Sequence, residues 1–475
     1  MALETWLIKV KTVISNRIDA SKTNSSVNNK MMIIKRSHHV GVLAFEIAGL
    51  MSKILQLWQS LSDKNIIRLR HESISLEGVR KIVSNDDAFL LGLACAEVVE
   101  NLRLIAKSVS RLGKRCDDLG LRNFDNLFEE FADTGRDPHF WVLSSKEMET
   151  KQKKMDRYVT LTASLNREMD ELTEIEHAFR KILQCSDHET LIKEKKISDL
   201  QHRLFWLKQE VKHLKESSLW SKSFDNVTNL LARSVFTSLA RIKLVFGISQ
   251  GFSSINNDSL PRCSSVSATV YPSENSTTTT TTFAGKDEDH DEKQDLKLGF
   301  FESNSKLLKP PASTLGGVAL ALHYANLIIV IEKMIRSPHL VGNDARDDLY
   351  GMLPTSIRVS LRARLKGVGF SASDPVLAAE WRDALGRILS WLSPLAHNMI
   401  KWQSERSFEQ QNWIHKNNVL LLQTLYFANQ AKTEAAITEL LVGLNYIWRF
   451  DREMSAKALF QCSNINGFLN YKSSC

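Results

Sequence analysis

The sequence is poor in the residue patterns on which most small-site chemistry depends. Its 475 residues hold six cysteines, Cys95, Cys116, Cys185, Cys263, Cys462 and Cys475, and no two of them form a CxxC pair. A zinc module or a disulfide framework needs closer, repeated spacing, so these read as reduced thiols of a cytosolic or nuclear protein. No G-x-x-x-x-G-K-[ST] cradles nucleotide phosphates, and no H-E-x-x-H offers a zinc site. His38 and His39 are adjacent and point apart on any regular element, while His202 and His213 stand three helical turns apart, too far to share one ion. The residues therefore imply no metal, no cofactor and no catalytic group. GISQG, Gly247 to Gly251, does match G-x-S-x-G with Ser249 in the nucleophile position. That motif works on a strained strand-to-helix turn, and NLLARSVFTSLARIKLVF before it has helical period, so no catalysis is assigned there.

Long uninterrupted apolar runs are missing too. The most apolar stretch, TLGGVALALHYANLIIVIEKMI from Thr314 to Ile335, carries His323, Tyr324 and Asn326 near its middle and Glu332 and Lys333 close behind. A membrane span needs about 20 consecutive apolar residues, so lipid is a poor solvent for it. It reads as a buried bundle helix with His323 and Asn326 hydrogen-bonded inside. The alternative, a small-ligand protein or enzyme using the interior near His323 and Tyr324, lacks a second convergent polar cluster. At the start of the chain Leu3, Trp6, Leu7, Val10, Ile14 and Ile18 share one helical face, and lysines interrupt the apolar core that a secretion signal would need. Ala2 stands where N-myristoylation requires glycine. With Lys9, Lys11 and Arg17, this amphipathic helix either packs on its own protein or lies on an anionic membrane surface.

What is present is helical period nearly throughout, and the fold class is all-α. Residues 1–30 read as an amphipathic helix and a flexible joint, and 31–247 as an N-terminal helical domain. In GVLAFEIAGLMSKILQLWQSL the apolar arc is wide enough to require burial, and Ser84 before NDDAFLLGLACAEVVENLRLIAKSV offers a helix start. Between 146 and 216 apolar residues recur three and four apart on both sides of CSDHET, where Ser186 and Glu189 have capping-box spacing. That pattern favours an antiparallel helical hairpin; a coiled-coil oligomer through the same residues would use it equally.

Residues 248–312, with a six-threonine run and an acidic cluster, read as a disordered linker. Residues 313–475 form a second helical domain, in which Asp374 and Pro375 open one helix and the last helix spans about 431–450. The chain carries +8 overall. From 248 to 311, six Lys/Arg against nine Asp/Glu leave −3, so the rest carries +11. A basic fold favours acidic partners. The strongest candidate patch is SIRVSLRARLKG: Ile357, Leu361 and Leu365 face the core, leaving Arg358, Arg362, Arg364 and Lys366 as a cationic cluster near a helix C-terminus. The helix dipole gives those cations a structural reason of about 0.3–1 kcal/mol each, and phosphate-bearing lipid or an acidic segment gives a functional one. Sequence-specific nucleic-acid reading is disfavoured, because neither exposed aromatics nor a known motif accompanies the charge.

Several long segments resemble one family. They are VGVLAFEIAGLMSKILQLWQSLSDKNIIRLR, SLEGVRKIVSNDDAFLLGLACAE, RLGKRCDDLGLRNFDNLFEEF and KKMDRYVTLTASLNREMDELTEIE in the first half. LGGVALALHYANLIIVIEKMI, RDDLYGMLPTSIRVSLRARL, ILSWLSPLAHNMIKW and KTEAAITELLVGLNYIWRF follow in the second. In this order they resemble the plant-specific phytosulfokine-simulator family, which pairs two domains of uncharacterised function. The resemblance implies a non-enzymatic role in plant growth and phytosulfokine peptide signalling, placed in the nucleus or at the cytoplasmic face of the plasma membrane. Several longer members begin Met-Gly, whereas this sequence begins Met1-Ala2. The resulting expectation is an intracellular adaptor with protein partners on its helical surfaces and anionic lipids on the basic patch.

Overall fold

A computed structural model describes residues 39–184, 190–248, 299–337, 342–366, 373–408 and 419–471. The expected N-terminal helix and joint, His38, Ser186, Glu189, Ser249 and most of the Thr-rich linker lie outside them. The architecture is all-α, as the periodicity requires. In chain order the helices are α1 (Ala44–Ser60), α2 (Asp63–Arg68), α3 (Glu77–Ile82), α4 (Asp87–Gly113), α5 (Leu119–Arg122), α6 (Phe124–Thr134), α7 (Ser145–Gln184), α8 (Thr190–Ser217) and α9 (Phe224–Val245). The second half adds α10 (Phe300–Leu307), α11 (Ala321–Arg336), α12 (Asn343–Met352), α13 (Thr355–Leu365), α14 (Pro375–Phe408) and α15 (Gln430–Tyr471). The last helix runs well past the expected end at 450, its exposed Leu459 and Phe460 beyond the core.

Caps fix where several of these begin. Asp86, not Ser84, caps α4 by accepting from the Ala88 amide at 2.9 Å, and Ser84 instead accepts from Asp86 N–H. Ser223 caps α9, and Asp374 caps α14 just before Pro375, as its sequence position leads one to expect.

The N-terminal core is α1, α4, α6 and α9. Gly41–Ser60, the short turn Gly41–Leu43 together with α1, is the single described helical segment long and apolar enough to cross a membrane. Its Ala44, Ile47, Ala48, Met51 and Ile54 are instead wholly buried in this core. Phe124, Phe128 and Phe131 recur three and four apart on α6 and close on Phe236 of α9, with centroids 4.8 to 5.8 Å away. Each such ring pair adds about 0.5–1.5 kcal/mol beyond area burial.

The segment expected to be linker as far as 312 becomes helical earlier, at Phe300. The reason is packing: Phe301 stacks on Phe128 at 5.3 Å, and Phe300 N–H donates to Asp133 at 2.7 Å. Beneath them lies the buried Lys243, whose ammonium donates to the Phe131 and Ala132 carbonyls at the end of α6 and sits 5.1 Å from the Phe300 ring. Burial lowers the Lys243 pKa, with Asp133 opposing.

From this core α7 and α8 extend as an antiparallel hairpin. Leu165 meets Val211 and Leu214, while Ile175 meets Leu204 and Leu207 farther out. Ion pairs Glu171–Arg203 and Glu176–Lys208 flank the seam.

The C-terminal bundle encloses α11 between α14 and α15, with Tyr324, Leu327, Ile328 and Ile331 fully buried. Thus the most apolar stretch of the sequence faces other helices. The two bundles also share a core. Leu421, Leu422 and Phe427, from the loop before α15, pack with Leu69, Val79, Leu90 and Leu93. Glu97 is buried and accepts from Leu421 N–H at 2.7 Å, and Asn429 N–H reaches the Ile82 carbonyl at the same distance. Gly78 lets α3 lie directly on α14, since a Cβ there would come 2.3 Å from the Trp391 carbonyl oxygen.

Candidate functional site

On α13, Ile357 and Leu361 are buried and Leu365 is half-buried, as the spacing leads one to expect, while Arg362, Arg364 and Lys366 are exposed and Arg358 is half-buried. Those cations are not equivalent. Arg358 donates to the Gly351 carbonyl at 2.7 Å and lies over the Tyr350 ring at 5.3 Å. Arg362 donates to the Tyr350 hydroxyl at 2.8 Å, so two guanidinium groups converge on one phenol of α12. Arg364 pairs with Glu439 of α15 at 2.5 Å. Lys366 is exposed at the helix end. Three of the four cations thus tie α13 to its neighbours, and an anionic ligand would compete with Glu439 and the Tyr350 hydroxyl.

The interior candidates are used in the same way. His323 Nε2 lies 2.9 Å from the Met352 carbonyl. Tyr324 donates to Glu434 at 2.7 Å, and Gln430 donates to the same carboxylate at 2.8 Å. Burial, together with the Glu434 carboxylate, pushes the Tyr324 phenol far above its ordinary range. Asn326 is not inside the bundle: it falls on the exposed stripe of α11 with Leu322 and Lys333. It stands three positions after His323, outside the buried arc of Tyr324, Leu327, Ile328 and Ile331.

Sequence reasoning missed a second polar cluster on the same helix. Glu332 is 4% exposed, accepts from Arg336 at 2.7 Å and lies 2.7 Å from His397 Nε2 of α14. The four-residue spacing of Glu332 and Arg336 was a visible helix-pair signal; nothing marked His397.

Among the described residues no three His, Cys, Asp or Glu side chains converge as a metal site. Cys95 and Cys116 are buried, and desolvation pushes both thiols up to about 12, which leaves them weak nucleophiles. The serine motif follows α9 rather than a strand. On the outer side of the hairpin Phe205 and Trp206 are 57% and 62% exposed, with ring centroids 5.9 Å apart.

Comparison with known proteins matches two parts of this geometry to family models. Residues 42–98 match a domain of unknown function (DUF3475), and residues 314–401 match a protein of unknown function (DUF668). Over 436 residues the chain is 27% identical to Protein PSK SIMULATOR 3 of Arabidopsis thaliana, covering 87% of this chain and 57% of that protein. PSK SIMULATOR 1 is 27% identical over 429 residues, covering 87% and 56%, and PSK SIMULATOR 2 is 26% identical over 478, covering 98% and 68%. The chain is similar to the PSK SIMULATOR proteins along most of its own length. It spans somewhat over half the length of the first two. No solved structure matches it. In structural terms the first matched domain runs from α1 into α4, the second from the loop before α11 into α14, and Gly78 and Trp391 are where they touch. The family resemblance carried by the sequence segments is therefore confirmed, and the two matched regions pack on each other.

Proposed function

We propose that this chain is a non-enzymatic regulatory adaptor in plant growth and phytosulfokine-type peptide-hormone signalling, acting through its helical exterior in the nucleus or at the cytoplasmic face of the plasma membrane. The observation that carries the reading is its relation, along most of its length, to proteins named PSK SIMULATOR. The use of its interior polar groups supports it. Tyr324, His323, Glu332 and His397 each hold one helix to another rather than lining a shared cleft. Partners then meet the outside, and the projecting hairpin with Phe205 and Trp206 is the most apolar part of α8 on offer.

Proximity labelling in plant cells tests this with the wild type and a Phe205→Asp, Trp206→Asp variant. The adaptor reading expects a defined set of neighbours that includes phytosulfokine-pathway proteins and shrinks in the variant. An unchanged set refutes the hairpin as the docking element, and a set without pathway proteins refutes the signalling assignment. Contact with anionic lipid through Arg358, Arg362, Arg364 and Lys366 is the finer part of the proposal. Charge reversal of the three arginines should lower binding to anionic liposomes without altering helicity, and unchanged binding removes the patch.

A further inference from the structure

At the root of the hairpin a cavity of about 310 Å³ opens between α7 and the turn that joins α8 to α9, lined by Lys154, Arg157, Tyr158, Ser217 and Lys222. All three of its charged side chains are cations. Arg157 makes no ion pair or hydrogen bond among the described residues, unlike Arg364 on α13, which pairs with Glu439. Lys154 touches only the face of the Tyr158 ring, at 5.8 Å. Lys222 donates to the Glu216 carbonyl at 3.2 Å, which leaves two ammonium hydrogens to offer. Asp156, adjacent to Arg157, belongs to a different surface, the groove shared with Ser52 and Gln56 of α1.

The elements hold these groups in place. On α7, residues 154, 157 and 158 fall three and four apart on one face. Met155 and Val159 are buried in the main core and fix the rotation of that face. Across the cavity the backbone is pinned, since Val40 N–H donates to the Lys222 carbonyl at 3.0 Å and buried Leu219 donates to Thr162 at 3.4 Å.

We propose that this cavity binds the phosphate of a phosphorylated inositol. Arg157 offers a two-pronged donor to phosphate oxygens, Lys154 and Lys222 close from either side, and the Ser217 and Tyr158 hydroxyls reach the ring hydroxyls. The volume is at the small end of ligand pockets and fits one polyhydroxylated ring. A nucleotide fits less well, because Lys154 already covers the Tyr158 ring and no other aromatic surface lines the site. The same chemistry reaches the site from a phosphoinositide in a membrane or from a free inositol phosphate. The inference rests on the anionic-lipid part of the proposed function and deepens it, adding to the α13 patch a separate inositol-phosphate site at the hairpin root.

The test is calorimetry of the full chain with soluble inositol trisphosphate. Beside it runs co-sedimentation with phosphatidylcholine vesicles carrying either phosphatidylinositol bisphosphate or charge-matched phosphatidylserine. Wild type should bind the soluble probe one to one, and Lys154→Glu, Arg157→Glu should weaken it by about tenfold or more. Arg157→Lys should retain part of the affinity, while charge reversal of the three α13 arginines should leave it unchanged. Both glutamate substitutions fall on exposed residues, so circular dichroism should show an unaltered fold. Soluble binding establishes the site, and bisphosphate vesicles bound in preference to phosphatidylserine then make the source a lipid; without that preference it is the free inositol phosphate. The proposal is overturned by absence of soluble binding, by equal binding of sulfate, by a phosphopeptide that outcompetes the inositol, or by variants that bind as tightly as wild type. Proximity labelling is untouched by these outcomes, so loss of the site and loss of the adaptor reading are separable.

Discussion

The contact between the two matched domains and the contact between α7 and α8 are both helix on helix, yet they rest on different means. Between the domains, Gly78 brings α3 onto the Trp391 backbone, and a buried glutamate holds an amide 324 residues away. The hairpin uses a strip of aliphatic side chains two residues wide with ion pairs in water on either side. The first contact depends on shape and tolerates no added atom. The second depends on area and should lose stability in proportion to what is removed.

Four changes sharpen that contrast, in falling order of effect. Gly78→Leu must displace the Trp391 backbone and the Leu395 side chain, so a loss of about 3 kcal/mol is expected, measured as a lower denaturant midpoint for the whole body. A midpoint within experimental error of wild type would mean that α3 and α14 separate easily. Leu207→Ala, on the hairpin seam, should cost about 2 kcal/mol, and hydrogen exchange should find that loss in α7 and α8 while the α11 amides keep their protection. Equal loss in α11 would make hairpin and body one cooperative unit. Arg203→Ala removes an exposed ion pair with Glu171 and should change stability by less than about 1 kcal/mol. A larger effect would show that charge, not apolar area, holds the seam.

The smallest effect is a pH dependence at the start of α7. Glu147 accepts from the Ser144 amide at 2.9 Å and its hydroxyl at 2.8 Å, and those bonds hold its pKa below the ordinary glutamate value. A carboxylate with a lowered folded pKa adds stability above its unfolded value, and that contribution disappears as pH falls through the folded one. Fraying of the first turn of α7 should therefore appear only in acid, and Glu147→Gln should flatten the profile. An unchanged profile in Glu147→Gln would show that the Ser144–Glu147 hydrogen bonds do not set it.

Helix content and the hairpin could be read from spacing, because each helix must bury a stripe whose period the sequence displays. Ile357 and Leu361 were recognisable as interior for that reason. What spacing does not carry is the partner of a stripe. Nothing near Glu97 names Leu421, and nothing near Arg358 and Arg362 shows that both will close on Tyr350. Composition also misplaced the start of the second folded block. Phe300 and Phe301 look like two apolar residues at the end of a polar run, and only the neighbouring Phe128, Asp133 and Lys243 make them an anchor. The hairpin-root cavity was hidden similarly, since Lys222 reaches it from 65 positions beyond Arg157.

The chain leaves the N-terminal core after α9 and re-enters it at α10, and Lys243 near the exit stands against Phe300 at the return. The fifty residues 249–298 therefore form a connection between two segments that the same core already holds. A protease cut within it would leave two polypeptides still gripping each other through the contacts of Phe301, Leu421 and Trp391. The same property makes this an insertion point for a reporter domain, and the two halves should reconstitute when expressed as separate chains.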